Sequence, residues 1–115
     1  MNKNTTLPLC PVEVTLELIG NKWKILILRD LFDGTKRFSQ LKNSLKNISQ
    51  KVLTENLRDL EKKQIITRTI YPEIPPKVEY SLTTLGISLK PILDSMYTWG
   101  ENYKKNYLEI IWSYL

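Results

Sequence analysis

Two short stretches of this chain, Ile65 to Tyr71 and Lys77 to Leu82, have the β-branched and aromatic composition of strands, and apolar residues at helical spacing lie on both sides of them. That arrangement confines the fold to helices around one β-hairpin. The hairpin is joined by Pro72-Glu73-Ile74-Pro75-Pro76, which lacks a two-residue turn signature and carries three prolines, so a long, stiff, protruding tip is expected. At 115 residues with 42% apolar content, the chain should form a single domain over 1–115 with one modest core.

Residues 1–9 are polar and read as a flexible arm, with Pro8 discouraging helix before it. Pro11 suits the first turn of a helix, which places Cys10 near the N-cap, and Val12, Leu16 and Ile19 give a short stripe ending at Gly20. Asn21 can cap a second helix, broadly apolar from Trp23 to Phe32 and ended by Asp33-Gly34. After a short basic connection, Phe38, Leu41 and Leu45 mark a third helix. Asn47 or Ser49 can cap a fourth, running to about Lys63, in which Leu53, Leu57 and Leu60 share one side while Lys51, Thr54, Arg58 and Lys62 gather on the other. Beyond the hairpin, Thr83 or Thr84 can cap a long helical region over 83–115. There Leu85, Leu89, Ile92, Met96, Trp99 and Tyr103 recur at spacings of four and three, and Pro91 and Gly100 are expected to bend or weaken the helix.

Charge is distributed unevenly along these elements. From Asn21 to Lys63 there are eleven Lys/Arg against five acids, a surplus of six, while 1–20 sums to minus one and 64–115 to zero. The whole net charge of +5 therefore resides in the second to fourth helices, where it reads as a basic face. Such a one-sign field attracts a polyanion, and counterion release from a duplex is the usual source of affinity for it. A solvated face that serves only to repel other copies is the competing reading.

Several chemistries are disfavoured. The sequence has no histidine and one cysteine, which removes the common transition-metal ligand sets and any His-assisted nucleophile. No glycine-rich phosphate cradle is present, and carboxylates are scattered through amphipathic patterns, so neither an enzyme nor a bound cofactor or metal is expected. Apolar runs are far shorter than the roughly 20 residues a bilayer crossing needs, and no signal-peptide pattern opens the chain, so a cytoplasmic location without membrane association is expected.

Two short helices in sequence, the second with a basic and hydrogen-bonding face, followed by a two-stranded extension, make a winged helix-turn-helix. A helix fits the major groove and its early residues reach base edges, while the preceding helix braces it against the backbone. On that reading Phe38 to Leu45 brace and Gln50 to Lys63 read. Gln50 has amide geometry for adenine, Lys51 and Arg58 can address guanine or phosphate, and Thr54 can meet a base edge or a thymine methyl. Lys36 and Arg37 stand where phosphates should pass, Ser39 and Ser49 are further candidate DNA-binding residues, and Lys77 on the stiffened hairpin could approach the neighbouring minor groove. Arg58 and Lys62 have rivals in intrahelical pairing with Glu55, Asp59 or Glu61, and Trp23 reads as core.

Five ordered segments carry a family resemblance: Cys10-Pro11-Val12-Glu13; Ile19-Gly20-Asn21-Lys22-Trp23 onward to Leu28; Arg37-Phe38-Ser39-Gln40-Leu41; Ile48-Ser49-Gln50-Lys51 onward to Glu61; and Pro75-Pro76-Lys77-Val78-Glu79-Tyr80 onward to Thr83. Over about residues 10 to 104 the chain resembles the HxlR family of bacterial transcriptional regulators, relatives of the MarR type. The resemblance implies a mainly α protein with a small β-hairpin, a winged helix-turn-helix domain with a long C-terminal dimerisation helix. It implies a regulator, with repression the expected mode, that binds a palindromic operator in double-stranded DNA. Asn21 stands where a second glycine is usual in the family, and Gln64 where a helix-ending glycine is common.

Pairing two terminal helices through Leu89, Ile92, Met96, Trp99 and Tyr103 would make a homodimer and set two reading helices about one DNA turn apart, or a multiple of it; packing of this stripe only within one chain is the alternative. Cys10 is the candidate sensor. The positive end of the helix macrodipole favours a thiolate there, although Glu13 in the first turn opposes it. Resemblance adds that family members use a cysteine at this position to detect oxidants or electrophiles; a small capping residue is the bland reading. Two other functions compete: the same fold gated by a small molecule in a cleft beside the terminal helix, and a protein-interaction module without DNA binding.

Overall fold

The computed structural model describes residues 6–115, so the N-terminal arm expected over 1–9 lies partly outside the described residues. Helix α1 (Pro11–Ile19) starts with proline in its first turn, where a missing N–H costs nothing, and Cys10 occupies its N-cap without a side-chain capping bond. Helix α2 (Lys22–Phe32) follows almost at once because Asn21 Oδ1 accepts the Lys24 N–H at 2.9 Å. Gly34, at φ 140°, then carries the chain away from α2. The order continues as β1 (Lys36–Arg37), α3 (Phe38–Ser44), α4 (Gln50–Lys62), β2 (Ile66–Tyr71), β3 (Lys77–Leu82), α5 (Thr84–Ile87) and α6 (Lys90–Tyr114).

The turn between α3 and α4 has a division of labour that the sequence left open. Asn47 supplies a left-handed residue at φ 75°, which asparagine tolerates, and Ser49 supplies the cap, its Oγ accepting the Val52 N–H at 3.1 Å. Gln64 ends α4 at φ 61°, the left-handed position where a glycine would be unstrained. The core forms where the apolar sides of these helices meet: Ile27, Leu28 and Leu31 of α2, Leu41 of α3, and Leu53, Leu57 and Leu60 of α4, closed by Ile65, Ile66 and Tyr80.

The sheet has three strands rather than the two of a simple hairpin. Its order is β1-β3-β2, all antiparallel, with Lys36 opposite Tyr80 and Arg37 opposite Glu79. A two-residue strand is too short to show alternation, and it is defined only by its pairing with β3. The C-terminal region also differs from expectation. Thr83 Oγ1 accepts the Gly86 N–H at 3.0 Å and caps the one-turn α5, and a separate helix restarts at Lys90. Pro91 explains the break, because its ring would collide with the carbonyl of Ile87 four residues back, whereas it fits the first turn of a new helix. Leu85 therefore belongs to α5, and Pro91 delimits α6 instead of bending it. Gly100 does not interrupt α6 at all.

Polar groups fix α2 against α4. Asn21 Nδ2 donates to Asn56 Oδ1 at 3.0 Å, and Asn56 Nδ2 donates to the Val52 carbonyl at 2.8 Å. Lys24, whose side chain is 10% exposed, donates to the Asp59 carboxylate, and Lys63 reaches the same oxygen at 2.9 Å. Burial pushes the Asp59 carboxyl up, but the hydrogen bonds and charges of Lys24 and Lys63 outweigh this and hold it below the ordinary aspartate range. A depressed carboxyl contributes stability above its unfolded pKa of about 4, and that contribution disappears as pH falls through the folded value. Asp59→Ala should strand a buried ammonium at a cost of about 2 to 3 kcal/mol, at or below the low end for buried pairs because Asp59 is itself partly exposed. The melting temperature should fall by roughly 10 °C at neutral pH. Lys24→Met leaves Asp59 paired with Lys63 and should cost less than about 1 kcal/mol, so equal losses in the two variants would contradict this account.

Candidate nucleic-acid interface

Helix α4 presents the polar side opposite Leu53, Leu57 and Leu60. Lys51, Arg58 and Lys62 are exposed there, Thr54 is half-buried at its edge, and Gln50 is exposed as the first residue of the helix. Lys51 is 86% exposed, with only a long contact of 3.9 Å to Glu55 one turn on. Ser49 is exposed at the helix entrance, its oxygen already engaged by the cap. Beside it, α3 exposes Ser39, and Gln40 Oε1 accepts the Arg37 N–H at 2.8 Å, which fixes the junction of β1 and α3. Arg37 is exposed and Lys36 half-buried on β1. Lys36 and Arg37 thus lie on β1, Ser39 on α3, and Gln50, Lys51, Thr54 and Arg58 on α4, with Ser49 at its N-cap.

Pairing separates the cations into two populations. Among the described residues, Lys36, Arg37, Lys42, Lys46, Arg58 and Lys62 have no carboxylate within 4.0 Å, so the intrahelical pairing weighed for Arg58 and Lys62 does not occur. Lys24 and Lys63 are committed to Asp59, and Arg29 holds Asp30 Oδ1 at 2.9 Å through Nη2 and 3.0 Å through Nε. The basic face counted from sequence is therefore smaller than the full set of cations and is concentrated on α3, α4 and β1.

Lys77 is placed differently from the others. Its side chain is 27% exposed, lies 3.9 Å from Glu79 and 4.0 Å from Glu73, and sits 4.7 Å above the centre of the Tyr71 ring. Trp23 is half-buried against the core, with Lys22 over its ring, as its apolar neighbours implied. Cys10 is exposed at the start of α1. Along α6, Ile92, Met96, Trp99 and Tyr103 are exposed, whereas Leu89 packs half-buried on the chain's own core. Trp99 stacks on Tyr103 at 5.4 Å between ring centres, and Tyr103 on Tyr107 at 5.9 Å.

Sequence reasoning missed Asn56, Lys24 and Asp59 as the groups that hold α4 in position. Their helical phase was the available signal: Asn56 lies on the side of Leu53, Leu57 and Leu60, and Lys24 on that of Ile27, Leu28 and Leu31.

Among the described residues, no helix is long and apolar enough to cross a membrane. The HxlR-like helix-turn-helix family matches residues 18–107. The chain is 50% identical over 95 residues to the HTH-type transcriptional regulator YdeP of Bacillus subtilis (strain 168), spanning 83% of this chain and 74% of that protein. Among solved structures, the redox regulator HypR in its reduced form is 43% identical with a TM-score of 0.82, covering 87% of this chain and 99% of HypR. Diamide-treated YodB from B. subtilis is 38% identical with a TM-score of 0.69, covering 83% and 95%.

Proposed function

Because this chain belongs to the HxlR-like helix-turn-helix family, whose relatives are transcriptional regulators rather than enzymes, we propose that it acts on transcription in the cytoplasm by binding operator DNA as a homodimer through α4. The observation that carries this reading is the cluster of unpaired cations around the exposed side of α4. Free ammonium and guanidinium groups flanking a hydrogen-bonding helix match phosphates on either side of a major groove. Three to five phosphate contacts per subunit would give a slope of log K against log salt of about −5 to −9 for the dimer. Fluorescence anisotropy across a salt series measures this directly. A flat salt response, with tight binding to an acidic protein instead, would favour the protein-interaction module.

Helix α6 supports the dimer. None of its residues is buried, and the Cα radius of gyration of 17.2 Å exceeds the about 13 Å of a compact chain of this length, because 25 residues of α6 are not enclosed by the domain. Leu16 of α1 and Ile92 and Met96 of α6 border an apolar groove of about 430 Å³ against Ile25 and Leu26 of α2. A second copy laid along α1 and α6 would cover these residues together with Val12, Trp99 and Tyr103. The same groove supports one further reading, a small apolar effector seated between α1, α2 and α6.

Cys10 is proposed as a thiol sensor, supported by its exposure at the start of α1 and by the similarity to the redox regulator HypR. As the sequence holds one cysteine, a disulfide made within the dimer joins the two subunits, with diamide taking up both hydrogens. Modification beside the dimer surface would change the separation of the two α4 helices and so the fit to an operator. Cys10→Ser should bind DNA as the parent does but lose the response to diamide or a quinone. A mutant that still responds removes Cys10 from the mechanism.

A further inference from the structure

A narrow cavity of about 160 Å³ lies where α4 meets the sheet, bordered by Thr54, Arg58 and Glu61 of α4, Arg68 of β2 and Tyr80 of β3. Its polar lining is almost all donor. Arg58 has no carboxylate within 4.0 Å, and Arg68 approaches Glu61 no closer than 3.5 Å, a contact that engages part of a guanidinium with five N–H groups. Tyr80 is 8% exposed, yet among the described residues neither its hydroxyl nor that of Thr54 has a hydrogen-bond partner. Burial, helped by the Glu61 charge, pushes the Tyr80 hydroxyl above the ordinary tyrosine value against the pull of Arg68 and Arg58, so it stays protonated and donates at neutral pH. A buried phenol without an acceptor is an unmet hydrogen bond.

We infer that this cavity binds one small free oxyanion, phosphate or a group of its size, through the guanidinium groups of Arg58 and Arg68 and the Tyr80 hydroxyl. Two guanidiniums against the single Glu61 carboxylate leave one positive charge at the cavity for an anion to neutralise. The planar fork of each guanidinium matches the oxygen spacing of phosphate, and the two hydroxyls add donors without adding charge. Volume sets the upper limit on the ligand: pockets for nucleotide- or drug-sized molecules run from about 300 Å³ upward, so a single anionic group fits and a larger molecule does not. Arg58 also belongs to the outward side of α4. An Arg58 held by a bound anion is withdrawn from the duplex, so free anion and operator compete; this competition rests on the reading that α4 meets DNA, whereas the binding of the anion does not. A backbone phosphate offers the same chemistry as the free ion, and titration without DNA separates the two sources.

The test titrates the full chain, without DNA, with inorganic phosphate against chloride at constant ionic strength, following backbone amide and arginine Nε–H resonances. Saturable shifts at Arg58, Arg68 and Tyr80 are expected, with one ion per chain. Tyr80→Phe keeps the ring in the core and should weaken phosphate binding about tenfold, and Arg68→Gln should abolish saturation over the same range. Shifts as large at Lys42 and Lys46 as at the cavity, or parent-like phosphate affinity in Tyr80→Phe, overturn the site. A second arm uses a duplex of about 40 base pairs, selected by the chain from a random pool and long enough for two half-sites with their flanks. Saturating phosphate should weaken parent binding to it about tenfold or more relative to chloride at the same ionic strength, and should leave the Arg68→Gln variant unaffected. If phosphate does not bind the free chain while Arg68→Gln lowers the salt slope by about 1 per half-site, the donors serve the DNA backbone alone and the free-anion site is overturned. A chain that binds phosphate saturably but selects no duplex supports the site and overturns only the α4 reading.

Discussion

Met96→Glu should convert the protein from dimer to monomer and weaken operator binding by about two to four orders of magnitude, the amount by which bivalent attachment exceeds a single site. Met96 is half-exposed on α6 and borders the apolar groove against α1 and α2, so a carboxylate there leaves the isolated fold intact. In a two-fold dimer the change occurs twice, and each charge would have to be desolvated against Leu16 or Ile92 without a partner. Light scattering reports the mass and anisotropy the affinity. A Met96→Glu protein that remains dimeric would mean that α6 is covered in some other way.

The second large effect belongs to α4. Arg58→Ala should weaken operator binding by about 2 kcal/mol or more, at least about thirtyfold, because the lost contact recurs in both half-sites at about 1 to 3 kcal/mol each. Lys51→Ala should act in the same direction and lower the salt slope. Lys63 provides the control at the C-cap of the same helix: its ammonium is held by Asp59 at 2.9 Å, so Lys63→Ala should leave DNA affinity nearly unchanged and reduce only thermal stability. Equal effects of Arg58→Ala and Lys63→Ala would show that net charge alone, with no preferred face, attracts the duplex.

Much of this arrangement was readable in the chain. The two-sided character of α4 follows from the phase of Leu53, Leu57 and Leu60, and the cap at Ser49 from its side-chain chemistry, so Lys51, Arg58 and Lys62 could be placed outward before any coordinates. Residue type and period carry that information locally. Long-range pairing does not show in the same way. Strand β1 exists only because Tyr80 and Glu79 lie opposite Lys36 and Arg37, partners more than forty residues away in sequence. Lys24 counts as a surface cation in any sum of charges, yet it is buried because Asp59 meets it across the core. Lys77 likewise reads as a free charge until Glu73, Glu79 and Tyr71 are seen around it. The end of α5 was legible and overlooked: a proline removes its own N–H and crowds the carbonyl four residues back, which places a stop at Ile87.

On this reading the outward side of α4 meets a duplex. Titrating the isotopically labelled protein with the selected duplex and following backbone amide resonances tests it most directly. The largest shifts are expected at Ser49, Gln50, Lys51, Thr54 and Arg58, with smaller ones at Arg37 and Ser39 and none along the buried side at Leu53, Leu57 and Leu60 beyond what movement of the whole helix gives. Shifts confined to α1 and α6, with the amides of α4 unmoved at saturating DNA, would contradict it.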